Sequence, residues 1–109
     1  MRTTDKFTVL YSFKVNGGKE IEFIKTWSEL TKLIYEFEGS YGSRLHQVDS
    51  NLFIAYAQWP DRDTWKNSGS HLPEIAAKYR SQLRECCSEI KTEYELKTVA
   101  DLLQSDTFN

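Results

Sequence analysis

His46 and Arg44 are the two side chains of this chain best suited to proton transfer and anion recognition. An imidazole titrates near neutrality and can act as a general base. A guanidinium presents a planar fork of donors that fits a carboxylate or phenolate. The two stand in the run SRLHQVD, two residues apart, so a strand there puts them on one face. If that face lines a pocket, His46 is the catalytic base and Arg44 the anion clamp. If it meets solvent the pair does no chemistry, and if it meets a partner sheet the pair serves assembly. His71 lies in the polar stretch before Pro73 and reads as a surface residue, or as an acid or base on a loop over a pocket mouth.

The candidate substrate contacts lie close by. In LFIAYAQW, Phe53, Ala55, Ala57 and Trp59 share one face and Tyr56 takes the other. Two small residues between large ones can floor a cavity with aromatic walls. They can equally let a helix or a partner sheet approach closely. Trp65 follows on a short helix, as core or as pocket wall, and its indole N–H needs an acceptor if buried. Ala57, Trp59, Trp65, Tyr56, His71 and Tyr79 are thus the candidate substrate-binding residues. Cys86 and Cys87 are adjacent, which disfavours a bridge between them, and they read as small reduced core residues. With His46 and His71 they show no metal-ligand spacing, so no metal site is expected.

Those residues need elements to hold them. Residues 6–15 alternate, with Phe7, Val9, Tyr11, Phe13 and Val15 on one face, which is a strand pattern. Asn16-Gly17-Gly18 ends it. Residues 19–38 switch to helical period through Phe23, Trp27, Leu30, Ile34 and Phe37, with Ile21 and Ile24 beside them, and Gly39 supplies the stop. Residues 42–49 and 52–59 are strands joined by Ser50-Asn51, a two-residue hairpin turn. Asp61 caps a short helix through Trp65, and Pro73 opens another carrying Ile75, Tyr79, Leu83 and Cys86. Residues 89–98 alternate strictly, with Ile90, Thr92, Tyr94, Leu96 and Thr98 opposite charged residues. Residues 99–109 form a tail with one apolar cluster, Val99, Leu102 and Leu103.

The order β-α-β-β-α-β is the split βαβ, ferredoxin-like arrangement, an α+β fold with an antiparallel sheet. One domain is expected over residues 1–109, with its core at about 6–98. Helices in that fold cover one sheet face. Yet the first and third strands carry apolar side chains on both, so a second copy, giving a two-fold homodimer, is the simplest cover.

Composition narrows the partners. The net charge of −2 comes without a basic block, so no nucleic-acid surface is expected. No apolar run approaches the length of a membrane helix. The N-terminal stretch lacks a signal-peptide pattern, and a cytoplasmic location is the default.

The long helix followed by EGSYGSRLHQ and LFIAYAQWPDRDTW resembles the antibiotic biosynthesis monooxygenase-like proteins of the dimeric α+β barrel superfamily. The features that carry the likeness are the Gly39–Gly42 corner, Trp59 at the end of the third strand and Trp65 on the short helix. The resemblance covers about residues 7–94. It implies a homodimer with a pocket in each protomer between helices and sheet. It also implies a small monooxygenase, working without bound cofactor on an aromatic or quinol-like molecule. The same fold serves as a non-catalytic binding or stress-response module, which is the alternative. A haem-degrading relative would need an Asn on the first strand, a Trp on the short helix and a His about ten residues later. Here Ser12 takes the first place and Trp65 the second. The third falls near Ile75 or Ala76, with His71 too early, so haem chemistry is disfavoured. No flavin, nucleotide or metal signature occurs, and no cofactor is expected.

Overall fold

The computed structural model describes residues 6–104. The outermost residues, including the last five of the apolar tail, lie outside the described residues. The elements run β1 (Phe7–Val15), α1 (Glu20–Phe37), β2 (Gly42–Asp49), β3 (Leu52–Trp59), α2 (Arg62–Lys66), α3 (Ile75–Cys86) and β4 (Cys87–Lys97). The four strands form one antiparallel sheet in the order β2-β3-β1-β4. This is the ferredoxin-like α+β arrangement.

The period-2 patterns of β1 and β3 fix which side chains meet the helices. Phe13 and Phe53 pair across the strands, as do Val9 with Ala57 and Phe7 with Trp59. Helix α1 lays Phe23 onto that face, 5.1 Å by ring centroids from both Phe13 and Phe53. Leu30 from α1 and Ala76, Leu83 and Cys86 from α3 complete this core. A second cluster joins Phe7, Val9, Ala57 and Trp59, with Tyr11, Ile34 and Trp65 packed against it.

The apolar stripe of α1 is narrower than its sequence pattern. Phe23, Thr26 and Leu30 are buried, while Ile21, Ile24 and Phe37 are exposed. Successive helical residues step about 100° around the axis, so residues on the far side of α1 cannot meet the sheet. Gly39 follows α1 at φ 82°, the left-handed conformation that glycine adopts without steric cost. In the hairpin, the Asp49 carboxylate accepts from the backbone N–H of Asn51 and Leu52, which closes the expected two-residue turn.

β4 departs from the strict alternation read in its sequence. It begins at Cys87, directly after α3, and its register against β1 shifts twice. Ile90 pairs with Phe13, on the helix-covered face, whereas Tyr94 pairs with Leu10, on the other. Glu93 is the extra residue of the bulge between them. A bulge inserts one unpaired residue and reverses the parity beyond it. Tyr94 and Ile90, read as sharing a face, therefore sit on opposite ones.

The face away from the helices carries Leu10, Ser12, Ile54, Tyr56, Arg44, His46, Tyr94 and Leu96 by that register. Among the described residues no element covers it. Tyr94 is 64% exposed there.

Candidate functional site

The sheet divides the candidate residues into two groups. On the helix side stand Trp59, Ala57 and Trp65, with Tyr79 packed on the neighbouring core. His46, Arg44 and Tyr56 stand on the open side. A single pocket between helices and sheet that uses both sets does not exist in this geometry. The His46 base and Arg44 clamp point away from the helix layer. Parity decides this: Leu45 pairs with buried Ala55, so its neighbours Arg44 and His46 must face the other way.

The helix-side cluster is aromatic and polar at once. Trp65 lies 5.6 Å from Phe7 by ring centroids, and its indole N–H donates to the Tyr11 hydroxyl at 2.9 Å. Burial pushes the Tyr11 phenol above its usual range, partly offset by that hydrogen bond. Ser12, read as the first-strand counterpart of a haem-type Asn, faces the opposite side and donates to Glu93 at 2.7 Å. The first-strand residue that meets Trp65 is Tyr11. Its place in the β1 alternation signalled a core residue and not a polar one. Trp59 is only 3% exposed, and its indole N–H has no hydrogen-bond partner among the described residues. Such an orphaned donor costs about 1–3 kcal/mol. The two alanines do not leave a floor open here: Ala55 sits in the main core and Ala57 packs in the cluster touched by Ile34 and Trp65.

Helix α2 roofs this cluster and holds no buried residue. Its Trp65 packs on the cluster, and polar links add to that hold. Asp61 caps it, accepting from the backbone N–H and the hydroxyl of Thr64, both at 2.7 Å. Arg62 donates to Glu95 of β4 at 2.6 Å. Beyond it, the loop is fastened by Glu38, whose side chain is 2% exposed. That carboxylate accepts from the backbone N–H of Gly69 at 2.7 Å and of His71 at 2.9 Å, and meets His71 Nδ1 at 3.0 Å. Burial works to raise its pKa, but the two His71 bonds and the Gly69 bond outweigh that and hold it below the usual carboxylate range. An ionised carboxylate only accepts, so Nδ1 is the donor in that contact. The His71 side chain is 72% exposed. Glu38, which lies beyond the apolar row of α1, gave no sequence signal of this role.

On the open side, His46 stacks on Tyr56 with centroids 5.8 Å apart and planes 15° apart. The Arg44 guanidinium lies 5.8 Å over the same ring. A groove of about 690 Å³ runs beside them, lined by Thr8, Tyr56, Gln58, Leu96 and the tail residues Val99 to Leu103. Tyr79 lines a different cleft of about 510 Å³ between α1 and α3, with Glu22, Lys25, Thr26, Glu29, Lys78 and Gln82.

Cys86 is buried and donates to Glu22 at 3.3 Å. Burial, then Glu22, pushes its thiol up to about 11. Burial alone pushes Cys87 to about 11. Neither is a thiolate at neutral pH.

No protein-family model and no curated protein matches the chain. Solved structures do. SnoaB, a cofactor-independent oxygenase from Streptomyces nogalater, superposes with a TM-score of 0.72 at 17% identity, over 93% of this chain and 100% of that one. A candidate antibiotic biosynthesis monooxygenase from Chloroflexus aurantiacus gives 0.73 at 13% identity, over 88% and 95%. One from Bordetella bronchiseptica gives 0.70 at 17% identity, over 89% and 100%. The chain thus has the fold of the antibiotic biosynthesis monooxygenase-like proteins, as its Gly39–Gly42 corner and paired tryptophans suggested. At these identities the likeness is one of fold.

Proposed function

We propose that this protein is a small monooxygenase that uses no bound cofactor, acts on an aromatic or quinol-like molecule beneath α2, and works as a homodimer. The observation that carries the reading is the buried Trp59 N–H without an acceptor, beside the Trp65–Tyr11 pair. A planar substrate bearing a carbonyl or phenolic oxygen supplies the missing acceptor. Access requires α2 to lift, which breaks the Trp65–Tyr11 bond and draws the Trp65 ring off Phe7.

The substrate provides the electrons. Loss of a proton leaves a phenolate or enolate that reduces dioxygen. One oxygen atom enters the product, and the other leaves as water with the two hydrogens the substrate gives up. The protein supplies a dry site, donors for the developing oxyanion and a base. On the helix side that base is His71, oriented through its Nδ1 by Glu38. The fold likeness to an oxygenase supports the class of reaction.

The test is oxygen uptake with a panel of hydroquinones, catechols and anthrones. We expect turnover that falls at least about tenfold in His71→Ala, and weaker substrate binding in Trp59→Phe. Loss of rate in His46→Ala, with His71→Ala unaffected, would move the chemistry to the open face. Tryptophan quenching by these compounds without oxygen uptake would make the protein a binding module.

A further inference from the structure

We infer that the Tyr11 hydroxyl is a further ligand-binding group, held by Trp65 while α2 is down and handed to a ligand oxygen when α2 lifts. This rests on the site proposed beneath α2 and gives it a second donor.

Tyr11 stands on the helix side of β1, opposite Ala55 of β3. It packs against both hydrophobic clusters, the one under α1 and α3 and the one that Trp65 covers. A phenolic hydroxyl has one hydrogen to give and lone pairs that accept. Trp65 uses only the accepting side: its indole N–H, a donor and nothing else, reaches the Tyr11 oxygen at 2.9 Å. Among the described residues no group accepts the Tyr11 hydrogen. Burial holds the phenol above its ordinary range, so that hydrogen is present at neutral pH. The cluster therefore holds two donors with no acceptor among the described residues, the Tyr11 O–H and the Trp59 N–H.

Tyr11 differs from Trp59 in what covers it. Trp65 belongs to α2, so raising that helix breaks the bond to Tyr11. The freed Trp65 N–H then meets water. Tyr11 stays on the sheet, with the Phe13 ring 6.4 Å from its own by centroids. A carbonyl or phenolate oxygen placed where the indole stood accepts the Tyr11 hydrogen. Filling a donor that burial leaves unmet is favourable, so the ligand oxygen and Trp65 compete for one hydroxyl. Trp65 positions Tyr11 in the closed state, and Tyr11 is the group that touches the ligand. The same O–H stabilises negative charge that develops on that oxygen.

The experiment is isothermal titration calorimetry with two flat probes of one shape. Anthraquinone-2-sulfonate carries ring carbonyls that accept, and anthracene-2-sulfonate lacks them. The wild type is expected to prefer the quinone. Tyr11→Phe should lower that preference at least about fivefold. Trp65→Phe keeps an aromatic ring but loses the N–H that holds Tyr11. Both probes should then bind at least about twofold more tightly, with the preference kept. A tyrosine that merely props Trp65 would make the two variants alike, because each deletes the same bond. Equal preferences in the two variants would therefore overturn this inference and leave the site beneath α2 standing. Weaker binding of both probes by Trp65→Phe would also overturn it, by showing that Trp65 stays on the ligand. Binding of the anthracene probe reports that each variant is folded. A wild type that binds neither probe, or binds them without preference, would overturn the site beneath α2 and this inference together.

Discussion

Trp59 holds a polar atom where the surrounding packing gives it nothing to bind. Removing an orphaned donor recovers its desolvation cost, and that offsets the indole volume lost. Trp59→Phe is therefore expected to change unfolding free energy by less than about 1 kcal/mol in urea melts, while ligand affinity falls. Tyr11→Phe should behave in the opposite way, because it orphans the Trp65 N–H. We expect a cost of about 1–3 kcal/mol in the same melts. The thiols allow a pH prediction. Cys86 and Cys87 ionise near 9.0 when exposed and near about 11 in the fold. The raised folded values stabilise the fold fully below pH 9, and this stability is lost as pH rises towards 11. The melting temperature should drop across that window, and less so in Cys86→Ala. Thiol reagents should react slowly at neutral pH until the chain unfolds.

At the scale of elements, α2 and the loop after it depend on one buried carboxylate. Glu38 ties residues 69–71 to the end of α1 through three hydrogen bonds. Its folded pKa lies below the ordinary 4.5, so its contribution is present above that value and is lost as pH falls through the lower folded value. Glu38→Gln keeps the size but weakens the acceptor. We expect faster proteolysis of residues 66–72 and a loss of about 1–2 kcal/mol that is greater at pH 7 than at pH 3. The same variant should lower turnover through His71, since the ring loses its orienting partner. Gly39 marks the other end of this joint. An added Cβ would meet only Thr64 Cγ2 at an ordinary 3.4 Å, so Gly39→Ala costs backbone strain alone, about 1–2 kcal/mol.

For the whole molecule, the open face decides what the sheet can do. It carries Leu10, Ile54, Tyr56 and Tyr94 with no covering element among the described residues. A second copy over this face would leave the two helix layers outermost and the helix-side clusters independent. Substrate turnover per protomer should therefore be the same above and below the dissociation constant of such a dimer. Coupled loss of activity and assembly would place chemistry in the seam. Among the described residues no helix is long and apolar enough to cross a membrane.

The sequence by itself determined the element order, the hairpin, the helix stop at Gly39 and which residues of β1 and β3 share a face, because period and turn chemistry are local properties of the chain. It also carried the likeness of fold, through the glycine corner and the two tryptophans. It placed His46 and Arg44 on one face of β2, but not on which side of the sheet. That depended on Leu45 pairing with Ala55, a contact between strands. The β4 bulge at Glu93 was hidden behind an unbroken alternation, since a bulge is a mismatch of register between two strands and belongs to neither alone. The Glu38 anchor and the Tyr11–Trp65 bond join residues 33 and 54 positions apart. Only tertiary packing brings such groups within hydrogen-bond reach, and there the candidate site was decided.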